Sequence, residues 1–437
     1  MKHIIIVGAG FGGLRLARRL QHNPRFRVTL IDRFNHHQFQ PLFYQVATAG
    51  LDPSNISFPL RKIFRRARNV QVLLATIHEV QPAHNRILTD AGALHYDYLV
   101  LATGCSTSFF GRSDLEQYAY PMKSTVEALN IRHAIIENLE LATQTADPEE
   151  RQRLLNIVIA GAGPTGVELS GTLAEMKARI LPKDFPELDF SLMNIHLLEG
   201  SEHTLNAMSP RSRAQSRRYL EQLGVQVATE TFVTGYDGNE VALKDGRRIP
   251  AALLIWAAGI QGNVPAGIPD LVLTRGRRIR VDRHNRVPGY DNLFAIGDLA
   301  YMETPAYPAG QPQVCNVALK HADNLLFNLE QWNRPGGQPR CFEYKDPGSM
   351  ATVGRNKAVV DNFPVRGTHF GGFAAWVAWM GFHLLQLVGV KNKLQVFINW
   401  VTHYFTYDQS LRLLFKGTYR PRRKPAPATL VEEPQLW

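Results

Sequence analysis

One pattern occurs twice in this chain and constrains its fold more than any other feature: an apolar strand, a Gly-x-Gly-x-x-Gly turn, then a helix. The first copy runs from the β-branched residues 3–7 through Gly8-Ala9-Gly10-Phe11-Gly12-Gly13 into a helical pattern bearing Leu14, Leu16, Ala17 and Leu20. Each glycine has its own task. The first makes the tight turn, the second lets a pyrophosphate approach the backbone, and the third lets helix pack on strand. The helix N-terminus then meets the phosphates with unpaired N–H groups and a partial positive charge. The next strand, 28–31, ends at Asp32, about 20 residues past the last glycine, where an acid meets a ribose.

The second copy has residues 156–160 as strand, Gly161-Ala162-Gly163-Pro164-Thr165-Gly166 as turn, and Val167-Glu168-Leu169 opening a helix. Its later strand, 195–198, ends in Glu199, and Gly200, Ser201 and Glu202 after it offer no Arg or Lys. A carboxylate there accepts both ribose hydroxyls and repels a 2′-phosphate, which predicts NADH rather than NADPH. Two more apolar strands end in small residues, at Ala102-Thr103-Gly104 and at Gly297-Asp298. Backbone that passes close to a cofactor needs glycine.

A length of 437 residues predicts about three domains, and 45% hydrophobic with 20% charged residues excludes both a disordered and a polytopic chain. The three cysteines, Cys105, Cys315 and Cys341, form no C-x-x-C pair, so no dithiol centre, disulfide framework or cysteine zinc site is expected. They read as buried structural thiols, and no metal site is predicted. The net charge of +11 predicts attraction to polyanions. With no recognisable nucleic-acid module, the basic runs at 61–68 and 275–283 read as solvated faces and no nucleic-acid partner is expected. The apolar run at the N-terminus is too short for a signal peptide, so a cytoplasmic start is expected.

Taken as a set, these motifs and Ala257-Ala258-Gly259 resemble the two-dinucleotide-domain flavoprotein reductases. The resemblance implies an α/β fold of two Rossmann-like domains, the second inserted in the first, with FAD at the first site and NADH at the second. Its implied FAD residues are Gly8, Gly10, Phe11, Gly12, Gly13, Asp32, Arg33, Ala102, Thr103, Gly104, Gly297 and Asp298. Its implied NADH residues are Gly161, Gly163, Pro164, Thr165, Gly166, Glu168, Glu199, Ala258 and Gly259. The implied boundaries are 1–118 and 268–335 for the FAD-binding domain, 119–267 for the NADH-binding domain and 336–437 for a C-terminal region.

Within that superfamily the segments 39–50 and 354–360, and the turn at 161–168, look like those of the type II NADH dehydrogenases, single-subunit NADH:quinone oxidoreductases. The resemblance implies hydride transfer from NADH to FAD and electron transfer to a membrane quinone, without proton pumping. Glu168 resembles the family's Glu beside the nicotinamide, which implies a group that positions the nicotinamide rather than one that transfers a proton. The family's quinone helix reads Ala-Gln-x-Ala-x-Gln, whereas this chain has Cys315-Asn316-Val317-Ala318-Leu319-Lys320. Asn316 keeps an amide for a quinone carbonyl; Lys320 brings an ammonium that stabilises a reduced, anionic quinone or signals a different acceptor.

Residues 371–390 carry no charge, and Leu394, Phe397, Ile398, Val401, Tyr404 and Phe405 follow helical spacing opposite Gln395, Asn399, Thr402 and Thr406. Lys391, Lys393, Arg412, Lys416, Arg420, Arg422, Arg423 and Lys424 flank them, which predicts amphipathic anchoring on an anionic lipid surface at the cytoplasmic face of the membrane. A homodimer or core helix pair and a true span are the alternatives, and the tail from 420 reads as poorly ordered. The rival functions are a soluble NADH-dependent reductase of a small electron-carrier protein and a slow-turnover flavin redox sensor.

Overall fold

The computed structural model describes residues 1–407 and 411–414. Its first half-sheet is built from β1 (Lys2–Val7), α1 (Phe11–Leu20), β2 (Phe26–Asp32), α2 (Phe43–Ala47), β3 (Val70–Leu74) and β4 (Tyr98–Leu101). A second unit follows, with β5 (Tyr120–Pro121), α3 (Thr125–Gln144), β6 (Ile157–Ala160), α4 (Pro164–Arg179), β7 (Ile195–Leu198), α5 (Pro210–Gln222), β8 (Gln226–Ala228) and β9 (Leu253–Trp256). The chain then returns to the first sheet with β10 (Leu293–Ala295) and covers it with α6 (Cys315–Trp332).

Both sheets are parallel throughout, in the orders β10-β4-β1-β2-β3 and β5-β9-β6-β7-β8. Parallel strands carry helices on their faces, and this explains why Ile4, Ile5 and Ile6 are all fully buried. Because β10 joins the first sheet only after the second is complete, the second Rossmann-like unit is inserted in the first, as the sequence predicts. Each glycine turn leaves the carboxyl end of a central strand, β1 or β6, where ligands of such sheets bind.

The C-terminal region opens with β11 (Ser349–Gly354), β12 (Lys357–Asp361) and β13 (His369–Gly371), an antiparallel sheet, and closes with α7 (Phe373–Gln386) and α8 (Val390–Thr406). It seats on α4 so tightly that a Cβ on Gly171 would stand 1.6 Å from the Val353 carbonyl oxygen. A buried polar latch ties it to the second unit: the Asp361 carboxylate accepts from the Ser209 N–H (2.7 Å), the Ser209 and Ser212 hydroxyls and the His369 ring. Burial alone would raise the Asp361 pKa, but these hydrogen bonds outweigh it and hold the carboxyl below its ordinary value. Asp361→Asn is therefore expected to cost about 1–3 kcal/mol, read as a lower Tm that persists at neutral pH and shrinks as acid protonates the native carboxylate.

The uncharged stretch 371–390 is not one helix. Helix α7 stops at Gln386, and Gly389 turns the chain with φ of +87° against the Phe58 ring before α8 begins. Among the described residues no helix is long and apolar enough to cross a membrane. The core-helix alternative also fails for α8, because Leu394, Phe397, Ile398, Val401 and Phe405 are exposed while Asn392 and Val396 are buried. Lys416, Arg420, Arg422, Arg423, Lys424 and the predicted tail lie outside the described residues; Arg412 pairs with Asp184.

Candidate functional site

The two glycine turns are geometrically matched. Gly8 and Gly161 have φ of +105° and +102°, and a Cβ there would stand 2.2 Å from the Ala102 and 2.6 Å from the Ala257 carbonyl oxygen. Gly13 and Gly166 press equally hard, with Cβ positions 1.8 and 1.9 Å from the carbonyl oxygens of Gly8 and Gly161. At the middle glycines, Gly10 and Gly163, a Cβ would meet nothing within 4 Å. Open space over an exposed helix N-terminus is what a pyrophosphate requires.

The acids repeat the match. Asp32 accepts the N–H groups of Ala9 (2.6 Å) and Phe34 (2.7 Å), and Glu199 accepts those of Ala162 (2.6 Å) and Ser201 (2.8 Å). Each carboxylate thus sits against the residue between the first two glycines of its turn. Burial pushes the Asp32 pKa up, and the Ala9 and Phe34 N–H groups oppose it. Arg33 is exposed and lies over the Phe34 ring, while Phe11 meets His37 and Phe39 edge-on. In the second turn Pro164 and Thr165 are exposed at the start of α4; Ala258 is exposed, and Gly259 lies under the Phe110 ring.

The other predicted strand ends converge on the first turn. The Ala102 N–H donates to the Val7 carbonyl, Thr103 and Asn263 exchange hydrogen bonds, and Gly104 takes φ of +65°. The Gly297 N–H donates to Nδ1 of His321 (3.2 Å), a fully buried ring whose pKa burial pulls down to about 3. It is neutral at pH 7, with its proton on Nε2. Asp298 receives the Cys105 thiol at 3.3 Å, and burial pushes the Cys105 and Cys315 thiols up to about 12. Neither is a thiolate nucleophile at neutral pH. Cys341, expected to be buried, is exposed near His284, and Arg278, expected on a solvated face, donates to the Ala300 and Gln311 carbonyls. Among the described residues no cluster of His, Cys, Asp or Glu could hold a metal ion.

Glu168, just past the first turn of α4, is buried against the C-terminal region. Burial raises its pKa to about 8, with the Thr352 N–H (3.5 Å) and the Trp379 indole only partly opposing. At pH 7 it is mainly the neutral acid. Tyr44, fully buried beside it, has its pKa raised by burial and then by Glu168. His383 stacks on Trp379 with centroids 4.1 Å apart and donates its Nδ1–H to the Trp379 carbonyl (2.8 Å). Burial lowers its pKa to about 4. Thr352, Trp379, Tyr44 and His383 were given no role from the sequence: Tyr44 falls in the family-like segment 39–50, Trp379 and His383 fall in the aromatic stretch 371–390, and nothing marked Thr352.

Behind Tyr44 and Trp379 lies a cavity of about 90 Å³ lined by Trp376, Trp400, Tyr404, Arg355 and, further along α4, Thr172 and Glu175. The first turn of α6 stands between Asp298 and α7: the Gln313 side chain donates to the Asp298 carbonyl, and the Cys315 thiol lies 3.6 Å from the side-chain oxygen of Gln386, the last residue of α7. Asn316 is half-buried on that turn. Lys320, one turn on, is exposed and makes no ion pair among the described residues.

Comparison with known proteins matches residues 2–322 to the pyridine nucleotide-disulphide oxidoreductase family and residues 347–407 to the NDH2 C-terminal domain. The type II NADH:quinone oxidoreductase Ndh of Mycobacterium tuberculosis is 34% identical, covering 99% of this chain and 94% of that one. NdhA of the same organism is 33% identical, covering 91% and 86%. The structure of NDH2 from Plasmodium falciparum in complex with NADH superposes with a TM-score of 0.85 at 19% identity, covering 95% of this chain and all of that one.

Proposed function

The chain belongs to the type II NADH:quinone oxidoreductases, and from that membership we propose that it is a flavoenzyme oxidising NADH at the expense of a membrane quinone without pumping protons. The observation that carries the reading is the pair of matched glycine turns with open space at Gly10 and Gly163. FAD fits the first and NADH the second. Bound there, FAD supplies the hydride acceptor and the two-electron donor.

The protein's share is placement. The first turn, Asp32 and the ends at Gly104 and Gly297-Asp298 hold FAD; the second turn, Glu199 and Ala258-Gly259 hold NADH. The three cysteines take no part, since Cys105 and Cys315 stay protonated and no pair exists. Asn316 offers its amide to the quinone carbonyl where the Asp298 end meets α7. Glu168 holds a proton at neutral pH inside the site. Quinol formation consumes a proton beyond those NADH carries, so Glu168 serves as a proton source as well as a positioning group.

The exposed stripe of α8 and Phe373, Val377 and Leu385 of α7 supports peripheral anchoring on a membrane surface, which puts the enzyme where its acceptor dissolves; the cytoplasmic face rests on the sequence expectation alone. Copies pairing through this face are the second reading.

Glu199→Ala removes the acceptor for the ribose hydroxyls and the charge that repels a 2′-phosphate. The expected result is a ratio of kcat/KM for NADH over NADPH that falls about tenfold or more, mainly through KM. An unchanged ratio takes the ribose away from Glu199. The function itself is tested by NADH oxidation with a soluble quinone analogue beside an iron–sulfur protein acceptor: preference for the protein favours the carrier-reductase rival.

A further inference from the structure

The first domain carries a short helix, Leu60–Phe64, whose inner residues Leu60 and Phe64 are buried while Arg61, Lys62, Arg65, Arg66 and Arg68 are all exposed. No carboxylate among the described residues pairs with any of the five. Asp52, nearby, uses its carboxylate to accept the Ser54 N–H. Like charges left this close without counter-ions repel one another, so the cluster gains from an anionic surface outside the chain.

Its place in the fold says which surface. The segment packs on the turn between α7 and α8. Asn392 donates to the Ser54 and Ser57 carbonyls, Gly389 lies against the Phe58 ring, and Val388 packs against the core cluster to which Leu60 and Phe64 belong. Lys62 sits 5.4 Å above that same Phe58 ring, and Lys391 is exposed at the start of α8. Immediately beyond the turn are the exposed apolar residues Leu385, Val390 and Leu394, at 75%, 74% and 56% exposure. Apolar face and unpaired cations are therefore contributed by two domains and meet at one edge.

We propose that residues 61–68 form a basic collar beside the apolar face of α7 and α8, docking that edge of the flavin domain on anionic phospholipid headgroups while the apolar residues enter the acyl boundary. This rests on the anchoring reading above and adds to it a second lipid contact outside the C-terminal region. A cation near an anionic leaflet gains about fivefold in partitioning, and several act together. A two-domain footing fixes the tilt of the enzyme, which an amphipathic helix alone leaves free to roll. The segment read from sequence as a solvated face is then solvated only away from the membrane.

The test compares the full chain, FAD-loaded, with Arg61→Gln/Lys62→Gln/Arg65→Gln/Arg66→Gln. Co-sedimentation is measured with phosphatidylcholine vesicles and with vesicles containing phosphatidylglycerol, at low and high salt. All four residues are surface positions remote from the cofactor turns, and equal Tm and flavin content establish that the variant folds; the milder Arg65→Gln/Arg66→Gln pair serves if it does not. The expected result is binding to phosphatidylglycerol vesicles weakened on the order of 100-fold, with binding to neutral vesicles unchanged and the salt dependence flattened. The C-terminal cations are the same in both proteins. A variant that keeps the full preference for anionic vesicles overturns the collar and leaves the anchor standing. A wild-type chain that binds neither vesicle, or that stays dimeric with its apolar face covered, overturns the anchor and the collar with it; where the wild type does bind neutral vesicles, Phe397→Asp/Ile398→Asp tests the anchor by itself, because it abolishes that binding only if the α8 face enters lipid.

Discussion

Gly10→Glu is expected to yield folded, colourless protein, and Gly163→Glu folded, yellow protein that NADH fails to reduce. Both glycines have φ near −66° to −69° with extended ψ, open to any residue, and neither Cβ has a neighbour within 4 Å. The apo fold therefore tolerates the side chain. What it does not tolerate is a carboxylate in the space a pyrophosphate needs, where charge repulsion replaces helix-end attraction. We expect more than a 100-fold loss of FAD affinity in the first variant, read from flavin absorbance after dialysis, and a comparable loss of NADH affinity in the second with flavin content intact. Equal losses of flavin in both would mean that the two turns do not hold separate cofactors.

Glu168→Gln is expected to change quinone turnover far more than flavin reduction. The amide keeps the shape of the neutral acid but cannot release a proton, so flavin reduction by NADH in the stopped flow should stay within about threefold while quinone-dependent kcat drops about 100-fold. In the wild type the quinone step should fall as pH rises past about 8, where the carboxyl ionises. A stability measurement reads the same group without turnover. The folded carboxyl keeps its proton up to about 8 while an unfolded one loses it near its ordinary value of 4.5. Its stabilising share is thus fully present below pH 4.5 and drains as pH climbs toward 8. The wild-type Tm should slope downward over that window by several degrees, and the Gln variant should lack that component. A flat wild-type profile with unchanged quinone kinetics in the variant leaves Glu168 as a positioning group alone.

The sequence reading reached furthest where one residue type does one local job. The φ of +105° at Gly8 and the close approach at Gly13 admit no other residue, so the turns, their strands and the acids Asp32 and Glu199 were legible from spacing alone. The inserted topology came from the resemblance to the two-dinucleotide-domain flavoproteins, with which the order of the motifs along the chain agrees. The surroundings of Glu168 were not, because Thr352 and Trp379 lie about 200 residues downstream and reach it only through packing of β11 and α7. Periodicity described α8 as amphipathic, and the flanking cations rather than the periodicity favoured an outward apolar face over a core helix, which the exposure of Leu394, Phe397, Ile398, Val401 and Phe405 matches. Composition misread Arg278, whose guanidinium is drawn under Ala300 and Gln311 by contacts no local pattern encodes.

The central claim is that one chain carries electrons from NADH through bound flavin to a lipid-soluble quinone, and single-turnover spectroscopy of the purified FAD-loaded protein tests it most directly. NADH is mixed anaerobically and flavin bleaching is followed, then a quinone analogue is added and recovery of the oxidised spectrum is timed. The account predicts full bleaching by one equivalent of NADH and recovery by quinone at a rate no slower than steady-state turnover. Bleaching followed by no recovery with quinone, while a small electron-carrier protein restores the spectrum, would contradict it.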